Sequence, residues 1–297
     1  MPPRPFRFGV VTAFARSSAD WRDKARRVEQ LGYATLLMPD RLGTPLSTIP
    51  ALAVAATATS TLHVGSFVIA NGLRNPALLA RDSATLAFLS DDRFELGIGA
   101  GVSDEDYRLA GIPFESPGVR VEKLAATLTT LKAYFQDSVP DANAARAGFP
   151  PPVPKARPPI LVAGAGPRLL TVAAREADIV ALGLRPPSSE AEIADKVALI
   201  RKAAGERFEH LELSLNLVAV VGETPLPPSA IARIRGFFRT DLEQLIAAKS
   251  PYVLSGSVDQ MCDQLLAYRE RLGTTYVTVA DDMMDALAPV VARLAGR

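Results

Sequence analysis

Histidine and cysteine are almost missing from this sequence. Its 297 residues hold two histidines, His63 and His210, and one cysteine, Cys262. A single cysteine excludes an intramolecular disulfide and fits a reducing compartment, so a cytoplasmic location is expected. So few ligands, so far apart, argue against a His- or Cys-based centre, and no metal is expected. No apolar run approaches the ~18 residues of a membrane span. The amino terminus, MPPRPFRFGVV, lacks the long apolar stretch of a secretory leader. Neither sign of charge dominates: 33 Lys and Arg stand against 32 Asp and Glu. No dense basic run marks a nucleic-acid surface. What the chain does have is apolar residue in quantity, 48% of the total, enough for a large core.

Those apolar residues alternate between two periods. Phe6–Phe14, Ala34–Met38, Leu62–Ala70, Arg93–Gly101, Ile160–Ala163, Ile179–Gly183, Leu211–Val221 and Tyr276–Ala280 read as strands. Helical sequence follows each of them. Asp20 reads as an N-cap ahead of Trp21, Ala25, Val28 and Leu31 at helical spacing, and Asn75-Pro76 as an N-cap with proline at the first helical position. Ser189 with Glu192, and Ser257 with Gln260, have the spacing of capping boxes. Strands apolar on both faces imply a parallel sheet covered by helices. Eight such units predict an α/β fold closed into a (β/α)8 TIM barrel. We expect one domain over residues 1–297, with loop insertions near 136–159 and 222–250. The first insertion, which contains FPPPVPKARPP, suits either a polyproline spacer or a lid over a site.

Two glycine groups fall at strand ends. Gly99, Ala100 and Gly101 close the fourth strand; Gly164, Ala165 and Gly166 close the fifth, just before a helix opened by Pro167. Glycine lets a flat ring or a phosphate approach the backbone, and free N–H groups at a helix N-terminus attract anions. Together they suit an extended cofactor with an aromatic head and a phosphate. Gly97, in mid-strand, reads as structural. GIGAGV is a poor dinucleotide fingerprint, because Asp104 stands where the third glycine belongs and the run follows the fourth strand rather than the first. The acidic run Asp104–Asp106 reads as helix-capping charge. No strand carries a lysine, which argues against a Schiff-base aldolase.

The run FVIANGLRNPALLARDSATLAFLSDDRFELGIGAG resembles the signature of the luciferase-like monooxygenase superfamily, with its coenzyme F-420-dependent branch the nearest in character. MPDR, GIPFESPGVRVEKL, ILVAGAGPRLLTVAAREADIV and LSGSVDQMCDQLLAYRERLG extend the resemblance from Phe6 to Gly296. It implies a bacterial luciferase-like barrel that binds F-420, or alternatively FMN, at its carboxyl mouth. It also implies a non-prolyl cis peptide at Phe67-Val68 behind the ring, with Ala70 and Asn71 beyond it. Asp40 would contact the ring, and Gly99, Ala100 and Gly101 would lie along it. Ala163, Gly164, Ala165 and Gly166 would serve the phosphate, with Gly183 nearby. Asp40 and Arg41 are the candidate catalytic residues.

The sequence departs from the sugar-phosphate dehydrogenases of the group, which carry a histidine and a glutamate where this chain has Arg41 and Val102, so that substrate class is rejected. The expected activity is F-420-dependent hydride transfer to or from a small organic substrate. The alternatives are an FMN-dependent monooxygenase and a flavin-binding homologue without turnover. A homodimer is expected from the resemblance, with no nucleic-acid or membrane partner.

Overall fold

The computed structural model describes residues 4–136, 156–183, 188–222 and 225–297. The strands are β1 (Arg7–Val11), β2 (Thr35–Met38), β3 (His63–Ser66), β4 (Ile69–Ala70), β5 (Phe94–Gly99), β6 (Ile160–Gly164), β7 (Ile179–Leu182), β8 (Glu212–Asn216), β9 (Ala219–Val221), β10 (Val253–Ser255) and β11 (Thr274–Ala280). The helices are α1 (Ser18–Gln30), α2 (Thr48–Ala58), α3 (Pro76–Leu89), α4 (Asp104–Ala110), α5 (Pro117–Gln136), α6 (Pro167–Glu176), α7 (Glu190–Ala204), α8 (Pro228–Gly236), α9 (Leu242–Ala247), α10 (Val258–Leu272) and α11 (Met284–Leu294).

Nine strands form one parallel sheet in the order β3-β2-β1-β11-β8-β7-β6-β5-β4, and pairing of β3 with β5 closes it. Because β3 and β4 are two halves of one stave, the result is the expected eight-stave barrel. Two cores follow from the alternation of side chains along each strand. Outward residues such as Phe8, Val10, Leu36, Leu96 and Val277 pack under the helices. Inward residues Leu37, Leu161, Ile179, Ala181 and Tyr276 fill the lumen.

Four details differ from the sequence reading. The first helix is capped by Ser17, whose hydroxyl accepts from Asp20 N. Asp20 sits in the first turn and its carboxylate accepts from Arg16 N at 2.8 Å. The Leu62–Ala70 run is broken into β3 and β4 at Phe67-Val68. Opposite the break, Gly97 loses its ladder partners and finds both in Ser66: its N–H donates to Ser66 Oγ at 2.9 Å, and Ser66 Oγ donates to its carbonyl at 2.7 Å. A Cβ at Gly97 would run into the Ser66 carbonyl, which is why this position is glycine. The Leu211–Val221 run is two strands. At Leu217 and Val218 the backbone turns from Thr278 to Tyr252, and β9 leaves the barrel to pair with β10. The region expected as a second loop insertion holds α8 and α9. Most of the first insertion, residues 137–155, lies outside the described residues.

Candidate functional site

The carboxyl ends of the staves open into a cavity of about 800 Å³. β5 and β6 deliver the glycine groups to its floor, β4 delivers Ile69 and Ala70, and the loop after β2 delivers Asp40 and Arg41. Of the residues singled out from sequence, Asp40, Arg41, Val68, Ala70, Gly99, Ala100, Gly101, Ala163, Gly164, Ala165, Gly166 and Gly183 line it together. Phe67 and Asn71 are not among the lining residues. Phe67 packs against the lumen cluster. Asn71 is buried, and its Oδ1 has no partner. The peptide between Phe67 and Val68 is cis. No lining residue comes from the 222–250 region among the described residues.

The glycines are less bare than their composition implies. A Cβ at Gly99 would stand 2.9 Å from Val68 Cγ2. At Gly101, where φ is +83°, it would meet the Tyr107 ring, and at Gly164 the Leu169 side chain. At Gly183 it would lie 3.1 Å from the Gly164 backbone. In each case the missing side chain lets protein close in behind the cavity wall. Gly166 alone of these five faces open space. It caps α6, with Pro167 at the start of the helix, so the first-turn amides are free of intrahelical partners.

The two candidate catalytic residues are both engaged. Asp40, 6% exposed, accepts from Arg74 Nη2 at 2.6 Å, Arg74 Nε at 3.2 Å and Thr48 Oγ1 at 3.0 Å. Arg41 donates from Nε to Asp106 Oδ2 at 2.5 Å and from Nη2 to Ser103 Oγ at 3.1 Å. Asp106 also accepts from Leu42 N at 3.2 Å. The acidic run after β5 therefore divides: Asp104 and Glu105 stand in the first turn of α4, which Ser103 caps, and Asp106 is a buried anchor for the loop after β2.

Sequence reasoning missed a basic wall. Arg168, in the first turn of α6, pairs with Glu122 at 2.9 Å, and its Nη1 would stand 3.0 Å from a Cβ at Gly118, in the first turn of α5. Arg120 lies over the Phe114 ring at 3.8 Å and donates from Nη1 to the Glu115 carbonyl at 2.9 Å. Its buried Nε has no partner, and no carboxylate pairs with it among the described residues. Both arginines line the cavity. The signal available was arginine just inside two proline-opened helices, GPR and PGVR. Tyr107, read from sequence as either projecting toward the mouth or packing, lines the cavity, and burial raises its phenol pKa.

A second cavity, about 870 Å³, opens at the amino end of the barrel. It is similar in size to the first, but its ionised centre is a closed set. Arg7 donates from Nε to Glu212 at 2.9 Å, and from Nη2 to Glu212 at 2.7 Å and to Glu95 at 3.2 Å. It lies 3.7 Å over the Tyr276 ring. Burial opposes its charge, but Glu95 and Glu212 outweigh that and hold its pKa above the ordinary arginine value. This arrangement is a plug. Barrel enzymes work at the carboxyl end, and we assign the site there. Among the described residues no cluster of three metal-ligating side chains occurs, and no helix is long and apolar enough to cross a membrane.

An eight-stave parallel barrel with a glycine-floored cavity and a basic wall at its carboxyl mouth defines a protein of the (β/α)8-barrel class. A family model described as luciferase-like monooxygenase matches residues 6–290. The chain belongs to that family of oxidoreductases. An uncharacterised protein of Mycobacterium tuberculosis is 27% identical over 242 residues, 72% of this chain and 83% of that one. An F420-dependent secondary alcohol dehydrogenase, solved with an F420-acetone adduct, superposes with a TM-score of 0.74 at 15% identity, covering 96% of this chain and 99% of that one. The oxygenating constituent of 3,6-diketocamphane monooxygenase from Pseudomonas putida, solved with FMN, superposes with a TM-score of 0.75 at 16% identity, covering 98% and 96%. At such identities the two structures establish the fold alone.

Proposed function

We propose that this protein is a coenzyme F-420-dependent oxidoreductase acting on a small organic molecule in the cytoplasm. The observation that carries this reading is the juxtaposition, in one cavity, of a glycine-rich floor with a wall made of Gly166, Arg168 and Arg120. A planar ring fits the first and an anionic tail fits the second. Gly166 offers an open cradle, and the orphaned Arg120 Nε is a donor awaiting an acceptor, so the residues present suit such a cofactor.

When bound, the cofactor supplies hydride chemistry at its ring. The chain's residues supply position and dryness. Val68, Ala70, Gly99, Ala100 and Gly101 would back the ring. Gly164, Ala165 and Gly166 would offer main-chain N–H groups to a phosphate at the start of α6. Asp40, held by Arg74 and Thr48, keeps a fixed carboxylate at the edge of the cavity. Arg41, held by Asp106, is a cation that developing negative charge on a substrate could engage only after leaving its partner. No histidine lines the cavity, and no acid from the chain is required where solvent or the substrate itself supplies the proton.

The FMN alternative is favoured by neighbours such as the diketocamphane monooxygenase constituent, whose structure holds FMN. Absorbance and fluorescence titration of the protein with F-420 and with FMN in parallel decides between them. F-420 should bind the more tightly. Preference for FMN transfers the reading to the monooxygenase alternative, and binding of neither removes it.

A homodimer belongs to the same proposal. Val54 on α2 and Leu78, Phe88 and Leu89 on α3 are exposed apolar side chains on adjacent helices. Sedimentation velocity measures the mass directly.

A further inference from the structure

We infer that the part of the mouth facing α4 takes a neutral, predominantly apolar substrate whose carbon skeleton runs past Val102 toward Leu42. This rests on the cofactor reading for the opposite wall, where the anionic tail is assigned.

Two independent observations carry it. The first is the charge inventory. Both carboxylates that line the cavity already have cations: Asp40 has Arg74 and Asp106 has Arg41. Of the cations, Arg41 is held by the buried Asp106, and Arg168, paired with Glu122 at the exposed surface, stands on the cofactor wall. Arg120, left without a carboxylate, belongs to the wall shared by α5 and α6. A charged substrate entering beside α4 would shed its water and find no counter-ion, a large cost for an unpaired ion.

The second observation is the rim. Val102 follows the floor glycines directly and is 84% exposed, a large apolar side chain left in water at the lip of the cavity. Leu42 is exposed too. It is held next to the start of α4, because its N–H donates to Asp106 and the adjoining Arg41 donates to Ser103. Leu109, further along α4, is likewise exposed. Single exposed apolar residues need no explanation. Val102 lines the cavity together with Val68, Ile69 and Ala100, so an apolar chain leaving past it would stay in contact with apolar surface.

The test is calorimetric titration with straight-chain 2-alkanones, from hexanone to decanone, and with the matching oxo-acids that end in a carboxylate. It is run on the protein alone and on the protein with F-420 or FMN. Affinity for the alkanones should rise by up to about fourfold per added methylene, and a terminal carboxylate should lower it by roughly an order of magnitude. Val102→Asp should flatten the chain-length series, Val102→Leu should keep it, and both should retain the parent melting temperature because the side chain is exposed. A flat series in the parent protein, oxo-acids binding as well as alkanones, or a series unchanged by Val102→Asp each overturns the inference. A rising series without cofactor binding would sink only the cofactor reading. Cofactor binding with a flat series would sink only this one.

Discussion

Arg41 and Asp106 clasp each other at 2.5 Å across the lip of the barrel, joining the loop after β2 to α4, although 65 positions separate them in the chain. The partners are unequal: the Asp106 side chain is 4% exposed and that of Arg41 is 37%. Removing the arginine strands a buried anion, whereas removing the aspartate frees a cation that can turn into water. We therefore expect Arg41→Ala to destabilise more than Asp106→Ala, with single losses on the order of 1–3 kcal/mol. The double variant should lose less than the sum. Urea unfolding of the four proteins completes the cycle, and strict additivity would show that the clasp contributes nothing.

The glycines of the mouth should separate into two behaviours. Gly101→Ala adds a side chain at positive φ against Tyr107, and Gly164→Ala presses on Leu169; both should lower the melting temperature. Gly166→Ala points into open space and should melt like the parent while weakening F-420 or FMN binding, because the added methyl crowds the start of α6. Thermal melts paired with cofactor titrations distinguish a structural glycine from a ligand-facing one.

At the amino end, Arg7→Leu should be the most damaging single change considered. It leaves Glu95 and Glu212 buried and unpaired, which typically costs about 3–5 kcal/mol. Arg7→Lys keeps one positive charge between the two carboxylates and should recover part of the deficit. Denaturant unfolding would reveal this, and equal losses in the two variants would refute the plug as described.

His63 supplies a second pH signature. Burial lowers its pKa from 6.5, with Arg7 and Arg93 adding to the effect against the opposing pull of Glu95. The unfolded chain therefore binds the proton more readily than the folded one, and this contribution to stability declines as pH drops through the unfolded value. His63→Gln should flatten the melting-temperature profile between about pH 7 and pH 5. An unaltered profile would assign the acid sensitivity to other groups.

Much of the fold was legible in advance because its signals are local. The capping boxes at Ser189 and Ser257 form as their spacing predicts, since a side chain and an amide three residues apart meet in any helix that starts there. Val258, Met261, Leu265, Tyr268 and Leu272 recur at helical spacing in the sequence, and all but Val258 are buried for the same reason. Apart from the first helix, where Ser17 rather than its neighbour Asp20 is the cap, the reading erred where a partner far along the chain made the difference. The Leu211–Val221 run has strand character throughout, and only the position of Tyr252 takes β9 out of the barrel. At the site, the glycine positions and the proline-opened helix were visible. Arg74 was not, since nothing near it in sequence indicates that Asp40, 34 residues earlier, holds it.

By itself the sequence determined the alternation of strands and helices, the caps and the two glycine-bearing strand ends, because these depend on backbone periods and on contacts within a few residues. The tertiary structure decided which charges cancel, which glycine spaces are filled by Val68, Tyr107 and Leu169, and which one, at Gly166, remains open. Those outcomes depend on distances set when the eight staves close into a ring and bring residues from opposite parts of the chain to one mouth.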